Sequence, residues 1–150
     1  MKTIDISSKG EYPANTLSNF YAHEFILDGV RCASMEGFLQ SLKYKSASKQ
    51  IKVCALVGKA AKNAGKHKFL WKLTHKLHWQ GKSFSRFGDE YAALLRRAYA
   101  ELYKNPNFAA ALKAAEGCTL IHSIGKTDNR KTVLTVQEFI NNLDELRKSD

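Results

Sequence analysis

Acidic residues are missing from the middle of this chain. After Glu36 no aspartate or glutamate occurs until Asp89, while residues 37–88 carry twelve lysines and arginines. Such a field excludes basic partners and gathers phosphates, nucleic acid or an anionic surface. Only Pro13 and Pro106 interrupt the 150 residues, and no repeat or low-complexity stretch divides them, so one domain over 1–150 is expected. Cysteine is scarce too. Cys32, Cys54 and Cys118 are odd in number and lack a C-x-x-C pair, which argues against a disulfide framework and reads as buried thiols. No apolar run is long enough to cross a bilayer, and "MKTIDISSKGEY" lacks the apolar centre of a signal peptide, so a cytoplasmic protein with no membrane attachment is expected. A P-loop, a dinucleotide G-x-G-x-x-G and a G-x-S-x-G elbow are all absent. His75-x-x-His78 has ligand-like spacing, but no cysteine or acid lies nearby, and neither a metal nor a cofactor is expected.

What is present is 44% hydrophobic residues and a net charge of +10. "EFILDGVRCA" alternates about Asp28-Gly29 and predicts a hairpin with strands near 24–27 and 30–33. Ser34 caps a predicted helix through Tyr44, with Met35, Phe38, Leu39 and Leu42 on its buried stripe. Ser48 is read as the cap of a short helix through Val57, and "KAAKNAGK" as a third that stops at Gly65. Over 66–88 the reading is a helix giving way to loop at Gly81 and Gly88. Helices follow from Glu90 to Tyr103 and from Pro106 to about Ala115, then a strand at "CTLIHSI" and a last helix behind the capping box Thr135/Glu138. The class is helix-rich α+β with a small β-sheet.

Two features point to chemistry. Trp71, Trp79, Phe84 and Phe87 interleave with Lys72, Lys76, Lys82 and Arg86, a pattern that fits either stacked bases with held phosphates or a basic surface over core aromatics. Glu36, Gln40 and Lys43, at i, i+4 and i+7, share one helix face. A carboxylate at a helix start has bland uses, but beside a cationic wall it can activate water or face a cationic transition state. Asp128, in "GKTDNRK", is the candidate second acid.

"LSNFY", "FILDG" and the pattern S-x-E-x-x-L-Q-x-x-K at Ser34–Lys43 resemble the opening signature of the NADAR (NAD and ADP-ribose) superfamily, the YbiA-like proteins. "AAKNAGK", "LLRRAYAELYKNPNFAAALKA", "TLIHS" and "TVLTVQEFINNLDELR" resemble later elements, so the likeness spans about residues 17–147. Gly37 stands where the family commonly has His, and "IHSIGKTDNRKTVL" is shorter than the family's D-x-x-W-G segment and lacks its Trp, the mark of a divergent branch. The resemblance implies an N-glycosidase that cleaves a base from phosphorylated ribose, either ADP-ribose on guanine in single-stranded DNA, in an antitoxin-like role with a toxin encoded nearby, or ribosylamino intermediates of riboflavin synthesis. It implies Glu36 as catalytic, with Asp128. Ser18, Asn19, Phe20, Gln40, Lys43, Gly65 and Lys66 would hold sugar and phosphates, and Trp79 would stack on the base. The alternative is a binder of ADP-ribose or nucleic acid that retains the pocket without the chemistry.

Overall fold

At Asp28-Gly29 both residues have positive φ (50° and 79°), the mirror-image turn whose twist matches paired strands, and β2 (Phe25–Leu27) pairs antiparallel with β3 (Val30–Cys32) across it. The Asp28 carboxylate leaves this turn to accept from Arg97 and from the Trp79 indole, both at 2.8 Å. A computed structural model describes residues 2–149 of the chain. Among them are seven helices and six short strands.

α1 (Met35–Ser41) follows the hairpin. The Ser34 hydroxyl accepts from Gly37 N at 3.0 Å and donates to Leu56 O at 2.8 Å, which ties the helix start to the end of α2 (Ala47–Cys54). The α-helix is shorter than expected: i→i−3 bonds at Leu42, Lys43 and Tyr44 continue the turn in tighter form, so Lys43 keeps its place beyond Gln40. The cap of α2 is Ser46 rather than Ser48. Gly37 is where α1 meets the end of α2: a Cβ there would stand 2.7 Å from Leu56 O and 2.9 Å from Val53 O. The family's histidine has no room at this crossing. α3 (Gly58–Gly65) packs on α1 in the same way, since a Cβ on Gly65 would fall 1.8 Å from Gln40 Oε1.

The stretch 66–88 departs from expectation. α4 (Leu70–Thr74) is a single short turn of helix, and a second hairpin follows, β4 (Lys76–Trp79) with β5 (Lys82–Ser85). Gln80 and Gly81 both have positive φ (47° and 86°), so the glycine read as the onset of loop is the turn of a hairpin. Leu77, Trp79 and Phe84 face the core from this hairpin. α5 (Asp89–Leu102) buries Tyr91, Leu94, Leu95, Ala98 and Leu102, and α6 (Pro106–Ala114) starts behind the Asn105 cap. β6 (Thr119–Ile121) pairs in parallel with β1 (Thr3–Asp5), a strand the sequence did not announce. α7 (Val136–Lys148) begins on the Thr135/Glu138 capping box and buries Phe139 and Leu143. The strands form three separate two-stranded ladders, dispersed among the helices.

Candidate functional site

A cleft of about 500 Å³ opens where α1 meets three other parts of the chain. The turn Ser18–Phe20 and α1 residues Glu36, Leu39, Gln40 and Lys43 line it. Lys62 comes from α3, Lys66 from the residue just after it and Lys72 from α4, and residues 124–126 and 131–135 close it together with His122 and Phe139. Six lysines line the cleft (43, 62, 66, 72, 126 and 131), against one acid, Glu36.

Backbone and side-chain bonds both hold Glu36. Its N–H donates to Asn19 O at 3.0 Å, and its Oε2 accepts from Gln40 Nε2 at 2.7 Å. Asn19 is fixed in turn: its Oδ1 accepts from the hydroxyl of fully buried Tyr99 at 3.0 Å. Burial, partly offset by the Gln40 bond and by Lys43 and Lys62, lifts the Glu36 carboxyl above the usual range. Burial also lowers Lys43 to about 8, against the pull of Glu36 and with repulsion from Lys72 and Lys126 in the same direction. Lys43 Nζ donates to Gly65 O at 3.2 Å. Gln40 Oε1 is buried without a partner against Gly65, so the amide's one bond commits it to Glu36. Burial thus disfavours the charged form of both groups, the acid pushed up and the amine pushed down, in a cleft otherwise lined by lysines.

A model of the family described as bacteriophage protein GP30.3 matches residues 11–148. The chain belongs to that family. It is also 36% identical over 151 residues to the "uncharacterized 17.1 kDa protein in Gp30-rIII intergenic region" of Enterobacteria phage T4, with 99% of each chain covered. The NMR structure of the E. coli protein YbiA superposes with a TM-score of 0.61 over 99% of this chain and 84% of that one, at 14% identity. That likeness is one of fold: this GP30.3-family chain has the YbiA-like architecture that its front-end motifs implied.

Seven of the ten residues named from sequence line the GP30.3 cleft: Ser18, Asn19, Phe20, Glu36, Gln40, Lys43 and Lys66. Gly65 stands behind them, making room for Gln40 and presenting its carbonyl to Lys43. Asp128 is outside the lining. Arg130 holds it by two side-chain bonds of 3.2 Å and a backbone bond, which keep its carboxyl below the usual range, so it is an ion-paired loop residue and not a partner for Glu36. Trp79 is core: it is 4% exposed, packs edge-on against Phe38 at 5.0 Å, and its indole is committed to Asp28. Arg86 is likewise no phosphate ligand. It is buried, forks onto Glu138 at 2.7 and 3.0 Å, and donates to Thr132 O. Fully buried Tyr91 donates to Val133 O. These two residues hold segment 132–133, part of the cleft wall. His122, Lys126 and Lys131 reach the cleft from a loop with no periodicity, so no local pattern marked them.

Proposed function

We propose that the cleft hydrolyses the N-glycosidic bond between a base and a phosphorylated ribose, with ADP-ribose on guanine or a ribosylamino riboflavin intermediate as the substrate class. The observation that carries this reading is the lone carboxyl among six lysines. A site built only to bind phosphate gains nothing from a carboxylate, which repels the ligand. A site that heterolyses a C–N glycosidic bond needs one, because positive charge develops on C1′ and the ring oxygen as the base departs.

In this reading the lysines hold phosphates, Phe20 offers a ring edge to the base, and Asn19 and Gln40 fix Glu36. As the C1′–N bond lengthens, its electron pair leaves with the base. Glu36 faces the oxocarbenium-like carbon and takes a proton from the attacking water, whose oxygen bonds to C1′. The raised carboxyl suits that task, since a base poised nearer neutrality takes a proton more readily. Incubation with a single-stranded oligonucleotide carrying ADP-ribose on guanine should remove one ADP-ribose by mass. Glu36→Gln should retain the fold and lose turnover. If Glu36→Gln turns over normally, the assignment fails; if it only tightens ADP-ribose binding, the protein is a non-catalytic binder.

A second reading rests on Lys43, whose amine near pKa 8 is partly neutral around physiological pH. A neutral amine can add to C1′ of the opened sugar, expel the base and leave an imine for water to hydrolyse. Borohydride during turnover would then attach the sugar to Lys43, whereas an unmodified lysine leaves water as the nucleophile.

A further inference from the structure

We infer that the surface of residues 66–76, running outward from the cleft, is a docking track for single-stranded nucleic acid. Within these eleven residues Trp71 alone is buried, and every other side chain is exposed. The exposed set is unusual in kind. Phe69, Leu70 and Leu73 are 56%, 70% and 79% exposed, yet they sit among Lys66, Lys68, Lys72 and Lys76 with no acid in the segment. Leaving three large apolar groups in water has no folding benefit.

Charge complementarity decides the kind of partner. The lysines of the segment divide between cleft and open surface: Lys66 and Lys72 line the cleft, whereas Lys68 and Lys76 lie outside its lining. One polyanion can therefore lie along the surface and enter the cleft, which a compact acidic protein cannot. A membrane fits poorly, because α4 has only five residues and a single lysine, Lys72, too short a helix to separate an apolar face from a cationic one. A duplex fits poorly as well: a helix this short cannot fill a groove, and paired bases hide their faces. Unpaired bases offer flat apolar faces that rest on a ring and aliphatic side chains while phosphates meet lysines. The Phe69 ring, edge-on to His67 with centroids 6.4 Å apart, is the stacking platform. The inference goes beyond the cleft reading by assigning a binding surface outside the cleft, and it rests on that reading only where Lys66 and Lys72 enter the cleft.

Fluorescence anisotropy with a labelled oligothymidylate about 20 nucleotides long tests it. Four lysines on phosphates should give log affinity against log salt a slope of about −3. Phe69→Ser should weaken binding by about ten-fold and leave that slope unchanged, because it removes stacking and no charge. Lys68→Ala with Lys76→Ala should flatten the slope by roughly one to one and a half units. All these positions are exposed, and each variant should bind free ADP-ribose as the wild type does. Absence of oligonucleotide binding, equal affinity for duplex, or indifference to Phe69→Ser would overturn the inference. So would Phe69-dependent binding to phosphatidylserine vesicles with oligonucleotide binding untouched by the substitution. If the oligonucleotide binds as expected while free ADP-ribose does not bind at all, the ADP-ribose form of the cleft reading fails and the track stands.

Discussion

Glu36 and Lys43 perturb each other less than their burial perturbs both. Ionised Glu36 is disfavoured in the folded chain although two lysines attract it, so removing its charge should stabilise the protein. The sign follows from linkage: a carboxyl raised on folding contributes stability that is full below its unfolded value and is lost as pH rises through the folded one. Glu36→Gln should therefore melt higher than the wild type at neutral pH, with the difference closing as pH falls below the ordinary carboxyl range. Thermal melts across pH 4–8 read this directly, and turnover should fall by about 10²–10⁴ in the same variant. Lys43 predicts the reverse trend for ligands. Its charge is lost as pH rises through about 8, so affinity for ADP-ribose should decline above that pH, by up to about ten-fold per unit for one linked proton. Calorimetric titrations of Lys43→Gln should show a weaker and flatter profile.

Two glycines set how closely α1 approaches its neighbours. At Gly65 even a methyl group displaces the Gln40 amide, whose Nε2 holds Glu36. Gly65→Ala should lower turnover by removing Gln40 from the carboxylate while changing the melting temperature modestly, a split that a purely structural glycine would not give. Gly37 faces backbone carbonyls, which cannot rotate away. Gly37→His should destabilise the chain by about 1–3 kcal/mol through overpacking, measured by urea unfolding. At this scale much of the sequence was legible through local rules, although the cap of α2 fell at Ser46 and not at Ser48. The Asp28-Gly29 hairpin, the Asn105 and Thr135 caps and the apolar face of α5 stand where their patterns put them. The second hairpin was missed because Gln80-Gly81 does the work of Asn-Gly with a residue rarer in the left-handed region, and β1 because three residues are too few to show a period.

Across the whole molecule, the cleft wall depends on a buried ion pair remote from the helix that carries the acid. Arg86 on β5 reaches Glu138 on α7 and the carbonyl of Thr132, so it couples the second hairpin to the wall. Removing one partner strands the other charge. Arg86→Leu should cost about 3–5 kcal/mol by chemical denaturation and loosen segment 131–135, lowering ADP-ribose affinity beyond the loss of any single lysine. Among the described residues no helix is long and apolar enough to cross a membrane.

The order of residues by itself determined the helix face that carries Glu36, Gln40 and Lys43 and the sign of the field around it, because each depends on neighbours within a turn or two of chain. Tertiary structure alone decided which aromatic and cationic residues remain free to meet a ligand. Trp79 and Arg86 sit in the same basic stretch as Phe69 and Lys72, yet the first two are spent on Asp28 and Glu138, and the other two face water. It also decided that Lys126 and Lys131 join the cleft. Burial and pairing are set by residues distant along the chain, and no local spacing encodes them.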